Sequence, residues 1–157
     1  MTISKLPIER DIEKLNIISG YYVYKMPTFY RNTYGYKTID LCLDLLVYAD
    51  LSNKEETLSK RLSYLKTLIH KIEILKSTVG ICFELSNRGT IIIDDESSTE
   101  ENLKSSPVIF TRKQESNLSI LLEKISKQAY GWKKKTIEML KEDKEKQKSD
   151  VKVKFDN

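Results

Sequence analysis

Cysteine, histidine, proline and glycine are all scarce in this chain of 157 residues, and each scarcity narrows what it can be. The two cysteines, Cys42 and Cys82, sit inside apolar periodic runs and cannot build a disulfide scaffold or a four-ligand zinc site, so reduced, buried thiols are expected. A single histidine, His70, lies off the neighbouring apolar seam and supports no histidine relay; an exposed or interface imidazole is the expectation. Three prolines and five glycines, with 32% charged and 39% apolar residues, suit a helical domain better than a loop-rich sandwich. No apolar run approaches the ~18 residues of a membrane span, and the opening "MTISKLPIERDIEKL" lacks a signal-peptide core, which points to a cytoplasmic soluble protein. There is no phosphate loop and no nucleophile elbow, so an enzyme is disfavoured and no catalytic residue, metal or cofactor is assigned.

Charge is present but unevenly placed. The net charge is +4, yet residues 94–104, "DDESSTEENLK", hold five acids against one lysine, leaving a basic remainder. Asp94, Asp95 and Glu96 read first as a solvated acidic loop and second as a hard-cation site. A basic body attracts nucleic acid or an acidic protein face.

Apolar spacing near 3.6 marks four helices. The first is predicted from Pro7 to Lys25, with Ile8, Ile12, Leu15, Ile18 and Tyr22 on one stripe and Pro7 in a first helical position. Pro27 then breaks the pattern. A second helix, from Thr33 to Asp50, stacks Ile39, Cys42, Leu43, Leu46 and Ala49, and Leu41 and Leu45 widen its apolar face, so it should be the most buried. A capping-box pattern, Ser52 with Glu55, predicts the start of the third, where Leu65, Leu68, Ile72, Leu75, Val79 and Cys82 form a heptad seam. Thr111 with Gln114 predicts the start of the fourth, whose stripe of Leu118, Leu121, Leu122, Ile125, Ala129 and Trp132 makes the only tryptophan the end of the core. Between helices three and four, the insert of residues 87–110 carries two β-prone runs, Ile91–Ile93 and Val108–Phe110, that either pair as a hairpin or pack across the bundle end. Helix is expected to continue toward Leu140, and residues 141–157 to form a charged, disordered tail. The fold class is therefore an all-α, up-down four-helix bundle over residues 1–140.

Six tyrosines, Tyr21, Tyr22, Tyr24, Tyr30, Tyr34 and Tyr36, crowd together with Lys25, Arg31 and Lys37. Interleaved aromatic and basic residues stack on bases while neutralising phosphates; they equally make a subunit interface or a core. The basic candidates for nucleic-acid or partner binding are Arg31, Lys37, Lys60, Arg61, Arg112, Lys113, Lys127, Lys133, Lys134 and Lys135, and the structural ones Pro27, Gly35, Gly131 and Trp132.

The segment "MPTFYRNTYGYKTIDLCLDLL" resembles the junction of helices one and two in Avd, the accessory variability determinant of diversity-generating retroelements. Pro27, Arg31, Thr33 and Gly35 fall at matching places, followed by Leu43, Asp44, Leu45 and Leu46. Helix four is similar too, through Lys113-Gln114, Leu121-Leu122, Ile125 and the closing Gly131-Trp132-Lys133, with Tyr130 where the family has a first glycine. The resemblance spans about residues 7–135. It implies a pentameric barrel of four-helix protomers that binds the element's reverse transcriptase and its template RNA or cDNA, supports mutagenic cDNA synthesis and contributes no catalytic residue. The alternative is the four-helix family encoded in ribosomal-RNA intervening sequences, an assembly protein without nucleic-acid affinity, whose small-residue helix-two signature is absent here.

Overall fold

A computed structural model describes residues 5–92 and 109–156. The described residues are helical throughout except at the connections: α1 (Pro7–Tyr24), a single turn α2 (Thr28–Tyr30), a wider π turn (Arg31–Gly35), α3 (Tyr36–Lys54), α4 (Leu58–Ile92) and α5 (Arg112–Phe155). The four long helices enclose one core, with α3 lying against α1 and α4, and α5 against α4 and α1.

α1 starts where sequence places it. Pro7 occupies the first turn, and the Glu9 carboxylate accepts the Leu6 N–H at 2.8 Å, satisfying a donor the helix start would otherwise leave open. Ile8, Ile12 and Leu15 are buried, and Ile18 and Tyr22 pack on their edge. Asn16 ties α1 to α3 by donating to the Ile12 and Cys42 carbonyls, each at 2.9 Å.

The second helical stretch begins earlier than expected. Pro27 sits just before the first residue of α2 instead of only ending α1, and the π turn joins that residue run to α3 without a break. Gly35 explains why the turn closes here. A Cβ on it would lie 2.7 Å from Val23 Cγ1 and 3.2 Å from Met26 Sδ, so the backbone of the turn rests directly on the end of α1.

On α3 the buried stripe is Thr38, Leu41, Cys42, Leu45, Ala49 and Ser52. It is rotated from the predicted one: Leu43 is 49% exposed, and Ile39 and Leu46 are half-buried. α3 is thus not the most enclosed helix, because Tyr36, Leu43, Val47 and Leu51 keep a second apolar stripe outside the core. The Ser52–Glu55 capping box is also corrected. Ser52 lies inside the last turns of α3 and donates its hydroxyl to the Tyr48 carbonyl at 2.7 Å, a back-bond that lets serine sit within a helix. α3 ends at Lys54, Thr57 donates its N–H to the Glu55 carboxylate, and α4 begins at Leu58.

Every member of the α4 seam, Leu65, Leu68, Ile72, Leu75, Val79 and Cys82, is buried. The Thr111–Gln114 capping box forms as predicted, with reciprocal bonds of 3.0 and 3.1 Å. α5 then buries Leu118, Leu122, Ile125 and Ala129. It does not stop near Leu140 but runs to Phe155, and residues 141–156 are all exposed. Lysine, glutamate and glutamine are good helix formers, and Glu142–Lys146 and Asp150–Lys154 add favourable four-residue charge spacings, so helix persists where apolar periodicity has ended.

Ile91 and Ile92 belong to the last turn of α4, not to a strand. The rest of the expected hairpin before Ile109 lies outside the described residues. Where the chain returns, the Ser86 hydroxyl accepts the N–H groups of Ile109 and Phe110 at 2.9 and 3.2 Å, and both side chains are buried.

Gly35 and Gly20 should respond oppositely to alanine. A methyl at Gly35 must displace Val23, whose β-branched side chain is stiff in a helix, and overpacking of ~1–3 kcal/mol should exceed the ~1 kcal/mol gain in helix propensity. Nothing lies within 4 Å of a Cβ at Gly20, so Gly20→Ala should stabilise. Urea midpoints check this: a Gly35→Ala midpoint above the parent's would show that the contact with α1 is loose.

A candidate nucleic-acid and partner interface

The corner between α1 and α3 sorts its aromatics into two sets. Tyr22, Tyr30 and Tyr34 pack against the core; Tyr22 meets Phe110 edge-on at 6.5 Å and its hydroxyl accepts from Asn117 Nδ2 at 3.0 Å. Tyr30 and Tyr34 are stacked, with centroids 6.4 Å apart and planes within 20°. Tyr21, Tyr24, Phe29 and Tyr36 instead expose half or more of their surface. Phe29 stands edge-on to Tyr30 at 5.3 Å, which holds an exposed ring on a half-buried one. Lys25 Nζ lies 4.3 Å from the Tyr21 ring centroid, and the Arg31 guanidinium 5.7 Å from that of Tyr24. The corner therefore presents flat rings beside cations on a rigid support.

Arg31 itself is committed to the fold. Its Nη2 donates to the Tyr24 and Met26 carbonyls at 2.7 and 2.9 Å, and its Nε is buried without a partner among the described residues. A cation at the end of α1 meets both the open carbonyls and the negative end of the helix dipole. Arg61 makes the matching arrangement at the end of α3, donating Nε and Nη2 to the Glu55 carbonyl at 3.0 and 2.7 Å. In the sequence these two arginines look like the surface lysines around them. Nothing in spacing distinguishes a helix-end clamp from a phosphate contact.

Apart from Arg31 and Lys127, the basic candidates fall into two groups. Lys37 is exposed in the first turn of α3, and Arg112 and Lys113 are exposed at the start of α5, which the Tyr22–Asn117 bond holds beside the end of α1. Lys60 and Arg61 stand at the start of α4, and Lys135 lines the same cleft as Arg61 and Trp132, next to Leu6 and Ile8 at the start of α1. Lys134 and Lys135 are exposed and Lys133 half-buried. Trp132 is half-buried against the core. Exposed Lys127 sits on α5 near the Asp11 cluster. The two groups are separated by about the length of α1, 18 residues or roughly 27 Å.

Two buried carboxylates escape a sequence reading. Asp11 accepts from Gln128 Nε2 at 2.8 Å and pairs with Lys124 at 3.3 Å, while Glu9 accepts from Asn53 at 3.3 Å as well as from Leu6. The available signal is an acid adjoining the apolar stripe, as Asp11 adjoins Ile12. Both are spent on joining helices.

Burial pushes the Cys42 and Cys82 thiols up to about 11, so both are protonated at neutral pH. His70 is exposed. Among the described residues no three histidine, cysteine, aspartate or glutamate side chains gather as metal ligands, and no helix is long and apolar enough to cross a membrane. Asp94, Asp95 and Glu96 lie outside the described residues.

No family model, curated protein or solved structure matches the chain.

The helix-end role of Arg31 separates it from Lys37. Arg31→Met should cost about 1.5–3 kcal/mol, the usual worth of bonds from a charged donor, and Lys37→Gln less than about 0.5. Chemical denaturation of both variants measures the difference. Equal, small losses would mean that the carbonyls of Tyr24 and Met26 are as well served by water.

Proposed function

We propose that this chain is an up-down four-helix bundle of the Avd type and acts as a non-enzymatic, cytoplasmic accessory protein of a diversity-generating retroelement, binding the reverse transcriptase and its template RNA or cDNA. The contact pairs support the up-down course: Glu9 with Asn53 and Asn16 with Cys42, Tyr22 with Asn117 and Asp11 with Gln128, Lys76 with Ser126 and Ser86 with Ile109 just before α5, each rising in number on one side as the partner falls on the other. Pro27, Arg31 and Gly35, on which the resemblance rests, have a joint physical role in shaping one corner.

The observation that carries the functional reading is the exposed quartet of Tyr21, Tyr24, Phe29 and Tyr36 with Lys25 and Lys37 among it. Rings of this kind stack on unpaired bases irrespective of sequence, and adjacent ammonium groups neutralise the phosphates between them. The outward stripe of Tyr36, Leu43, Val47 and Leu51 on α3 supports self-association, for which a homopentamer is the form the resemblance implies. The same stripe favours the second reading, an assembly protein of the ribosomal-RNA intervening-sequence type without affinity for nucleic acid.

Fluorescence anisotropy with a labelled single-stranded RNA separates the two. Binding should weaken steeply from 50 to 200 mM salt, and Tyr24→Ser with Phe29→Ser should cost about tenfold or more, given ~1–3 kcal/mol per stacked base. A chain that is oligomeric by light scattering yet leaves the RNA unbound would select the assembly reading.

A further inference from the structure

A cleft of about 490 Å³ lies at the start of α1, between the first turn of α4 and the middle of α5. Leu6, Trp132 and Met139 supply apolar surface, while Arg61 and Lys135 are the only charged residues on its lining among the described residues. Its polar groups are mostly unspent donors. Arg61 uses Nε and Nη2 on the Glu55 carbonyl, and its Nη1, the Lys135 ammonium and the Trp132 indole N–H make no hydrogen bond among the described residues. Gly131 adds no side chain to the wall, and a Cβ there would touch nothing within 4 Å, so no contact among the described residues calls for that glycine. An apolar cleft rimmed by unpaired cations matches an anionic segment with a bulky apolar anchor.

The chain contains one such segment. Residues 91–96 read Ile-Ile-Ile-Asp-Asp-Glu, and Glu100 and Glu101 follow. It cannot reach the cleft of its own molecule. α4 places Ile92 about 46 Å from Arg61, at ~1.5 Å per residue, and Ile109 is fixed beside Ser86. Residues 93–108 cannot go out and back over that distance, since half their number spans at most about 28 Å. A second copy faces no such limit.

We propose that the cleft around Trp132 receives the acidic segment of a second copy, its isoleucines against Trp132 and Met139 and its carboxylates on Arg61 and Lys135. The contact joins opposite ends of two molecules, so it is heterologous and generates a ring or an extending chain. It is independent of the RNA reading and uses neither the aromatic corner nor the α3 stripe.

Trp132 is the only tryptophan, so its emission reports directly on the cleft. The probe is a synthetic peptide of residues 91–104, titrated into the full chain without RNA. Saturable change in Trp132 emission is expected, weakened tenfold or more by Lys135→Glu, by a peptide with its three isoleucines replaced by serine, and by raised salt. In the full chain, Asp94→Asn, Asp95→Asn and Glu96→Gln together should lower the average mass seen by sedimentation at micromolar concentration. The proposal is overturned by an emission unchanged up to about 1 mM peptide, by binding indifferent to Lys135→Glu, or by unaltered self-association in the triple variant. Decanoate that shifts Trp132 where the peptide does not would make the cleft a fatty-acid site and equally overturn it. Loss of RNA binding in separate titrations leaves these outcomes untouched.

Discussion

Burial of one heptad seam on α4 is the interaction on which the other helices depend. Leu65, Leu68, Ile72, Leu75, Val79 and Cys82 lie on a single line, and α3 and α5 close over it from either side. At ~1.5–3 kcal/mol for each large side chain removed from water, this line and its partners outweigh anything the exposed ion pairs contribute. α1 then completes the enclosure through Ile8, Ile12 and Leu15, and its position is set by polar joints: Asn16 to Cys42, Asp11 to Gln128 and Lys124, Glu9 to Asn53. The raised thiol pKa values of Cys42 and Cys82 are a by-product of the same burial.

Closing such a core leaves the helix ends to be satisfied, and the chain uses charged residues for that. Arg31 and Arg61 each reach back over the connection before them to bond the carbonyls of the preceding helix end. The cost is that two candidate phosphate ligands are largely occupied. Among the described residues, the exposed lysines, the four outward aromatic rings of the corner, the apolar stripe on α3 and the cleft beside Trp132 remain open to an outside partner.

Helix positions and the α4 seam were legible because period and burial coincide there: each seam residue follows the last at three or four residues, and each is enclosed. The centre of the α3 face was misplaced because Leu41, Cys42, Leu43, Leu45 and Leu46 make the helix apolar over a wide arc, and periodicity alone does not choose between Leu43 and Leu45 on either side of Asp44. Ser52 misled for a related reason. A serine before a glutamate signals a helix start only if its hydroxyl reaches forward, and here it bonds back to Tyr48. Beyond Leu140 the apolar period fades, yet Lys and Glu at four-residue spacings keep the helix, a local preference that a search for core positions does not register. At the candidate site, the sequence displayed the tyrosine cluster but not its division, because which rings face out depends on the rotation of α1 against α5 and on the π turn that follows Pro27. Phe29, exposed and propped on Tyr30, was overlooked for the same reason.

These features make the bundle a rigid frame whose chemistry lies in what it displays: rings and lysines at one end, a cationic cleft beside Trp132 at the other. The contact proposed for the aromatic corner is with single-stranded nucleic acid. Photocrosslinking of a 4-thiouridine-substituted RNA to the full chain, with the attachment sites mapped by mass spectrometry, tests it most directly. The account predicts crosslinks concentrated between Tyr21 and Lys37; crosslinks confined to the lysines after Trp132, or none at all, would contradict it.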